Sequence, residues 1–236
     1  MIDIHTHILP SIDDGSRDFD ESLRIINDLA KQEITDIFLT PHYVANSTYI
    51  SPRSANLKLY RQLQNKVDEA GIRVTLHLGN EIYIDRDISK LLQKGKISPL
   101  ANSKYILVEL PMSGDFPDFE DILLSLKYEG CKVIFAHPER YHSYQENYEK
   151  IYDLTEQGIL LQCNLGSIIG QYGRRAKKTL KKLAKDKLIF CFGTDTHHVR
   201  DFSEITKAQQ KLRRYYTADE LKELLEDNPK RIINDE

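Results

Sequence analysis

Short apolar runs with strand character alternate with amphipathic helical segments along all 236 residues of the chain. Most of the apolar runs are nearly continuous, as parallel strands covered on both faces are. The predicted strands cover residues 2–4, 36–39, 73–78, 105–110, 132–136, 159–164 and 188–192. The alternation predicts an α/β fold, with seven β/α units in a single domain at 1–236 that form a TIM-like barrel one unit short of eight. A doubly wound open sheet has the same periodicity and stays open as an alternative.

Polar side chains, mostly of metal-ligating types, end or follow nearly every predicted strand. In chain order they are His5 and His7, His42, Glu81, Glu109, His137, Asn164, and finally Asp195 with His197. The carboxyl ends of parallel barrel strands open on one face, and active sites lie there. One histidine at a strand end is usually structural. The same coincidence at seven strands indicates a functional site.

The spacing of these residues favours metal binding. His5 and His7 lie two residues apart, so on an extended strand their imidazoles face the same way and can bind one ion. Asp195 and His197 repeat this arrangement with one oxygen and one nitrogen ligand. A nitrogen and oxygen set without thiolate suits manganese, iron or zinc, and it excludes a sulfur-rich structural zinc site.

Composition excludes several other classes. The formal net charge is -3, so no overall positive field favours nucleic acid. The mean hydropathy is -0.49 and no long apolar run suggests membrane insertion. Cys131, Cys163 and Cys191 form no closely spaced pair, and none is followed six residues later by the arginine of a cysteine phosphatase. An odd number of thiols in apolar runs predicts a cytoplasmic protein without disulfides.

Two arginines are candidates for binding a phosphate. Arg140 lies three residues after His137, and its planar guanidinium can contact two phosphate oxygens. Arg200 follows His197 and is a second candidate. A further basic segment at 174–185 is predicted to be a solvated helix face, and docking of an acidic partner is the alternative.

Several short motifs resemble those of the polymerase-and-histidinol-phosphatase (PHP) superfamily. They are His5-x-His7, Asp13-Asp14-Gly15, Thr40-Pro41-His42, Gly79-Asn80-Glu81, Ala136-His137-Pro138-Glu139-Arg140 and Asp195-x-His197. The segment from Ile8 to Gly15 and the His-Pro-Glu-Arg motif are similar to the manganese-dependent protein-tyrosine phosphatases of bacterial capsule and exopolysaccharide loci. The resemblance extends from the first residue to Pro229.

The resemblance implies a distorted seven-unit barrel that holds three divalent ions, most simply manganese. It implies one ion bound by His5, His7, Glu81 and Asp195, and a second bound by Glu81, Glu109 and His137. It implies a third bound by Asp14, His42 and His197. Arg140 matches the family's phosphate-binding arginine, and Arg200 lies slightly early for a second one. Asn164 is a candidate for substrate binding.

These observations predict a metal-dependent phosphomonoester hydrolase. Its expected substrate is phosphotyrosine in a protein, in particular the tail of the membrane-associated tyrosine autokinase that regulates capsule synthesis. A small-molecule phosphatase of the histidinol-phosphate type is the alternative on the same fold and metals. A nuclease is disfavoured by the net charge, and a catalytically inactive metal-stabilised binding module would have no need of a full ligand set.

Overall fold

The structure, a computed structural model, describes residues 1–112 and 116–236. Its strands are β1 (Ile2–Thr6), β2 (Asp36–Leu39), β3 (His42–Tyr43), β4 (Thr75–Leu78), β5 (Glu81–Tyr83), β6 (Tyr105–Glu109), β7 (Lys132–Ala136), β8 (Leu160–Asn164) and β9 (Cys191–Gly193). Its helices are α1 (Phe19–Ala30), α2 (Arg53–Glu69), α3 (Ile88–Gln93), α4 (Phe119–Tyr128), α5 (His142–Glu146), α6 (Tyr148–Glu156), α7 (Leu165–Ile169), α8 (Gly173–Lys185), α9 (Ser203–Leu212), α10 (Ala218–Lys222) and α11 (Asn228–Asn234). Within the described ranges, no helix combines the length and the apolar character needed to cross a membrane.

All of the strand pairs are parallel, and together they close a ring. β1 pairs with β2 and β2 with β4, while β3 pairs with β5, and β5 to β9 then follow in chain order. The ring closes between β9 and β1, where the His7 amide donates to the Thr196 carbonyl at 2.8 Å and the Asp195 amide to the His5 carbonyl at 2.9 Å. The predicted seven-unit TIM-type barrel is therefore confirmed, and the open sheet is excluded.

Two of the seven barrel positions are occupied by a broken strand. Residues 40–41 separate β2 from β3, and residues 79–80 separate β4 from β5. The sequence predicted His42 and Glu81 as residues that follow a strand, whereas each begins a short second segment, and the two are register partners. These segments of two and three residues are too short to show a periodicity.

The barrel interior is filled by side chains that alternate along the strands. Its apolar members are Ile2, Ile4, Phe38, Tyr105, Leu107, Ile134, Ala136 and Cys191, capped from below by Leu100 and Ile232. The intervening strand residues face the helices in a larger outer core. Since Ile2 and Ile4 face inward, strict alternation would turn His5 outward. The pairing of β1 with β2 shifts register between Asp3 and Thr6, and this irregularity lets His5 face the interior as well.

Candidate metal centre

The mouth at the carboxyl ends of the strands collects the predicted ligands. Three overlapping groups have potential ligand atoms within 4.8 Å of one another. Their members among the described residues are His5, His7 and Glu81 in the first group, His42, Glu81 and Glu109 in the second, and His7, Asp14, His42 and His197 in the third. Asp195 and His137 border the first group. All nine predicted ligands therefore lie at one site.

The first group is centred on two imidazoles that point at each other. The Nε2 atoms of His5 and His7 lie 3.1 Å apart, and each is 3.1–3.2 Å from Glu81 Oε2. Both are also 3.6 Å from Asp195 Oδ1. Two ligands bound tetrahedrally at about 2.1 Å from one ion would lie about 3.4 Å apart. The four side chains therefore fit around a single divalent ion.

Two residues that the sequence analysis left without a role orient these histidines. His5 Nδ1 lies 2.8 Å from Gln162 Oε1, and His7 Nδ1 lies 2.8 Å from Asp13 Oδ2. With Nδ1 engaged in this way, Nε2 of each ring faces the centre, as second-shell partners of metal-binding histidines arrange it. Asp13 belongs to the Asp13-Asp14-Gly15 motif, whereas Gln162 has only its inward position on β8 as a signal.

The second group surrounds the other side of Glu81. His42 Nδ1 lies 2.8 Å from Glu109 Oε1 and 3.1 Å from Glu81 Oε2, yet it is aligned for a hydrogen bond with neither. A ring nitrogen placed between two carboxylates without a hydrogen bond suits a cation there. The sequence analysis assigned His137 to this ion, and in the structure His137 Nε2 lies 2.8 Å from the other Glu81 oxygen, Oε1.

The third group is the most open to solvent. His42 Nε2 and His197 Nε2 lie 3.5 and 3.6 Å from the same oxygen of Asp14. The His197 ring stacks on His7 with the ring centres 4.0 Å apart. The three residues expected to bind a third ion therefore converge, and His7 joins them.

The pKa values of the side chains at this site are shifted by burial and by close contacts with charged neighbours. Burial alone lowers the pKa of His7, but the carboxylates of Asp13 and Glu81 raise it well above the ordinary histidine value. Burial and the charge of Glu81 raise the pKa of Glu109 to about 7. Burial and the charge of His7 lower the pKa of His197 to about 4. The imidazoles and carboxylates therefore compete for the same protons, a competition that a divalent ion would relieve.

Two of the candidate ligands have backbone conformations that L-residues rarely adopt. His137 has φ 37° and ψ 52°, and Asp195 has φ 51°. Left-handed geometry costs on the order of 1–2 kcal/mol at a residue with a side chain. His137 directly follows β7 and Asp195 lies two residues after β9. The left-handed backbone at each position directs the side chain into the mouth.

Arg140 lies at the edge of the same mouth. Its Nη1 donates to Asp195 Oδ2 at 2.5 Å, and its guanidinium carbon lies 4.4 Å from the centre of the Tyr172 ring. The Tyr172 hydroxyl is 3.4 Å from the same Asp195 oxygen. Tyr172 thus supports the arginine from one face. Tyr172 was not predicted as a site residue, because its only signal in the sequence is the Gly170-Gln171-Tyr172-Gly173 turn.

The side chains of the two remaining candidates donate hydrogen bonds to residues that follow β9. Arg200 Nη2 donates to the Thr194 carbonyl at 2.9 Å and to Thr196 Oγ1 at 3.1 Å, where it holds the loop after β9. Asn164 is fully buried, and its amide donates to Asp195 Oδ2 at 2.8 Å. Asn164 therefore positions Asp195 in this structure. Catalysis by Arg200 and substrate binding by Asn164 stay predictions.

Comparison with known proteins places the chain among capsule-synthesis proteins. The family model for capsular polysaccharide synthesis, CpsB/CapC, matches residues 1–234. The tyrosine-protein phosphatase YwqE of Bacillus subtilis (strain 168) is 32% identical over 200 residues, covering 85% of this chain and 78% of that protein. The tyrosine-protein phosphatase CpsB of Streptococcus pneumoniae is 26% identical over 242 residues, covering 100% of this chain and 99% of that protein.

Solved structures share the fold. A structure reported for YwqE from Bacillus subtilis and CpsB from Streptococcus pneumoniae, described as metal-dependent tyrosine phosphatases, superposes with a TM-score of 0.93 at 29% identity. It covers 100% of this chain and 95% of that chain. Histidinol phosphate phosphatase from Lactococcus lactis subsp. lactis Il1403, solved with zinc, L-histidinol and phosphate, gives a TM-score of 0.60 at 18% identity, covering 91% and 93%. At that identity the second likeness is one of fold alone.

Proposed function

We propose that this chain, which belongs to the CpsB/CapC family of capsular polysaccharide synthesis, removes phosphate from the tyrosines of a capsule-regulating autokinase. The chain is a metal-dependent tyrosine-protein phosphatase. The observation that carries the proposal is the convergence of nine nitrogen and oxygen ligand candidates at the barrel mouth, beside one arginine whose side chain is partly buried. The family relationship supports the choice of phosphotyrosine as substrate.

Three divalent ions, most simply manganese, would be held by these residues. His5, His7, Glu81 and Asp195 fit the first ion, and Glu81 would bridge to a second. Glu109 and His137 would complete the set for the second ion, and Asp14, His42 and His197 would hold the third. When bound, the ions would supply Lewis acidity and lower the pKa of a coordinated water.

The chain's own residues orient the metal ligands and place a positive charge beside them. Asp13 and Gln162 hold the two histidine rings in place, and Asn164 does the same for Asp195. Arg140 would bind phosphoryl oxygens, because its guanidinium lies beside the ligand groups and carries no ligand atom itself. Its charge would offset the negative charge that gathers on those oxygens during the reaction. Tyr172 would keep the guanidinium plane facing the mouth.

The pKa of the leaving group favours an aryl phosphate as the substrate. A tyrosine phenol has a pKa of about 10, so its oxygen can depart without a strong general acid. An alkyl alcohol has a higher pKa and needs a proton donor. The acidic groups described at the mouth are all candidate ligands or their partners. This favours phosphotyrosine over phosphoserine and histidinol phosphate.

The family's process suggests the kinase partner, and the cysteines suggest the compartment. Capsule synthesis is the process named for the family, and a tyrosine phosphatase there needs a tyrosine kinase whose product it removes. We infer a cytoplasmic site of action, which the free thiols of Cys131, Cys163 and Cys191 support.

A comparison of three substrates with manganese present tests the proposal. They are a phosphotyrosine peptide, a phosphoserine peptide of the same flanking sequence, and histidinol phosphate. We expect the largest kcat/KM for phosphotyrosine. Equal values for the two peptides would remove the leaving-group argument, and a clear preference for histidinol phosphate would assign the small-molecule function instead.

A further inference from the structure

Helix α8 carries a concentration of positive charge that the phosphatase site does not use. Seven of its thirteen residues are lysine or arginine and none is acidic. Its apolar face, with Leu180 and Leu183, is buried. The exposed cations are Arg174, Arg175, Lys178, Lys181, Lys182 and Lys185. Like charges spaced three or four residues apart destabilise a helix, so the pattern is unfavourable for folding alone.

These exposed cations are clustered on one helix and lack carboxylate partners in the described part of the chain. Throughout the described residues, none of the six lies within 4.0 Å of a carboxylate oxygen. Elsewhere, ion pairs with carboxylates are made by Lys31, Lys90, Lys150, Lys187, Lys207 and Lys222. The chain as a whole is acidic, with a formal net charge of -3. The α8 cations, which we call the positive strip, form a cluster without carboxylate partners among residues 1–112 and 116–236, on a protein whose net charge is negative.

The strip is one wall of a groove of about 770 Å³. Gln145 and Tyr148 line the other wall, and Tyr215 closes one side. The Lys182 ammonium lies 3.5 Å from the centre of the Tyr148 ring. The one acidic lining residue, Glu146, lies 3.3 Å from His142. The groove thus combines positive charge with an aromatic wall and is concave.

Two contacts connect one end of the groove to the mouth of the barrel. Tyr172, which stacks on Arg140, is the residue directly before α8. In the first turn of the helix, Arg175 Nη1 contacts Nε2 of His142, two residues after Arg140. From Arg175 to Lys185 the helix rises about 15 Å, which an extended peptide of about five residues would span.

We propose that the α8 groove, from Arg175 to Lys185, binds an acidic segment next to the target phosphotyrosine. The inference rests on the proposed function, because it assumes that a phosphotyrosine occupies the mouth beside Arg140. It adds a substrate class: polypeptides with aspartate or glutamate within a few residues of the modified tyrosine. The carboxylates would pair with Lys178, Lys182 and their neighbours, and would relieve the repulsion along the helix.

The shape of the surface favours a peptide over an anionic membrane. A lipid surface is met by a convex or flat face, whereas five of these six cations line a concave groove with tyrosines in its walls. Arg175, at one end of the groove, also contacts His142, two residues after Arg140, which brings the groove within reach of a polypeptide bound at the mouth.

The test uses one groove variant and one matched control. The groove variant is Lys178→Glu with Lys182→Glu, and the control is Lys58→Glu with Arg61→Glu, at exposed positions on α2. The kcat/KM of manganese-loaded protein is measured on three phosphotyrosine peptides. One has neutral flanks, one has acidic residues before the tyrosine, and one has acidic residues after it. Anisotropy measures the binding of the same peptides without phosphate. Sedimentation with phosphatidylserine vesicles completes the set.

For the wild type at low salt we expect about tenfold higher kcat/KM on one of the acidic peptides than on the neutral one. The groove variant should lose this preference and the binding of the unphosphorylated acidic peptide. Its activity on p-nitrophenyl phosphate should stay within about twofold of the wild type, since the mouth is unchanged. The control variant should keep the preference.

Equal kcat/KM on acidic and neutral peptides, or a preference that survives in the groove variant, would overturn the proposal. Vesicle binding that depends on Lys178 and Lys182, without any peptide preference, would also overturn it and assign the strip to a membrane. If no phosphotyrosine peptide is hydrolysed, the proposed function fails, and the binding of the unphosphorylated peptides decides the docking proposal by itself.

Discussion

Replacing Arg140 by alanine should separate catalysis from metal binding. In the structure Arg140 donates to Asp195 Oδ2 at 2.5 Å and is otherwise held by the Tyr172 ring. It supplies no metal ligand, so the Arg140→Ala protein should bind the same number of ions as the wild type. Loss of one pre-placed charged donor to a transition state costs about 3 kcal/mol, or roughly a hundredfold in kcat.

The same substitution has a second effect, on stability, that depends on metal. Without ions, Asp195 loses its only arginine partner among the described residues while staying buried. A hydrogen bond to a charged group contributes about 2 kcal/mol, and the free energy of unfolding of the metal-free variant should fall by that order. In the metal-loaded protein the ions should neutralise Asp195, so the loss should be smaller.

Steady-state kinetics on p-nitrophenyl phosphate, elemental analysis, and thermal unfolding with and without chelator measure these effects. Arg61→Ala, at an exposed position on α2, is the control for removal of one arginine. Full activity of the Arg140→Ala protein at both saturating and limiting substrate would refute the catalytic role. Equal stability losses with and without manganese would refute the pairing with Asp195.

Three further predictions concern the site and its neighbours. A methyl group at Gly15 would meet the His7 carbonyl oxygen at 1.7 Å, so Gly15→Ala should displace the loop and lower metal content, measured by elemental analysis. Tyr172→Leu should raise KM for aryl phosphates several-fold more than Tyr172→Phe, because only phenylalanine keeps a ring against Arg140; equal KM values would contradict this. Burial lowers and the neighbouring carboxylates raise the pKa of His42, on balance to about 9. Metal must displace that proton, so manganese affinity measured by calorimetry should weaken as the pH falls from about 9 to about 6; affinity independent of pH would contradict the reasoning.

The sequence predicted the barrel because its signal is repeated. Each unit has an apolar strand followed by a polar ligand, and seven repetitions outweigh the ambiguity of any single one. The strand predicted at 132–136 has those bounds in the structure. The broken strands could not be predicted in this way, since β3 and β5 depend on pairing with each other, a long-range contact that leaves no local pattern.

The supporting residues of the site were harder to predict than its ligands. Gln162 and Tyr172 act through contacts with residues far away in the chain, and neither has a spacing that marks it. Arg200 shows that nearness in sequence to a predicted ligand does not by itself predict a role in the site. Its nearness to His197 in sequence suggested phosphate binding, whereas its hydrogen bonds here go to Thr194 and Thr196.

We propose that the metal ions on which phosphotyrosine hydrolysis depends are held at the barrel mouth. The most direct test of this claim is the activity on a phosphotyrosine peptide as a function of bound manganese, with both quantities measured on the same samples. Chelator-treated protein should be inactive and should recover activity as about three ions bind per chain, while a Glu81→Gln protein should recover little. Hydrolysis at the full rate by protein that elemental analysis shows to be free of metal would contradict the claim.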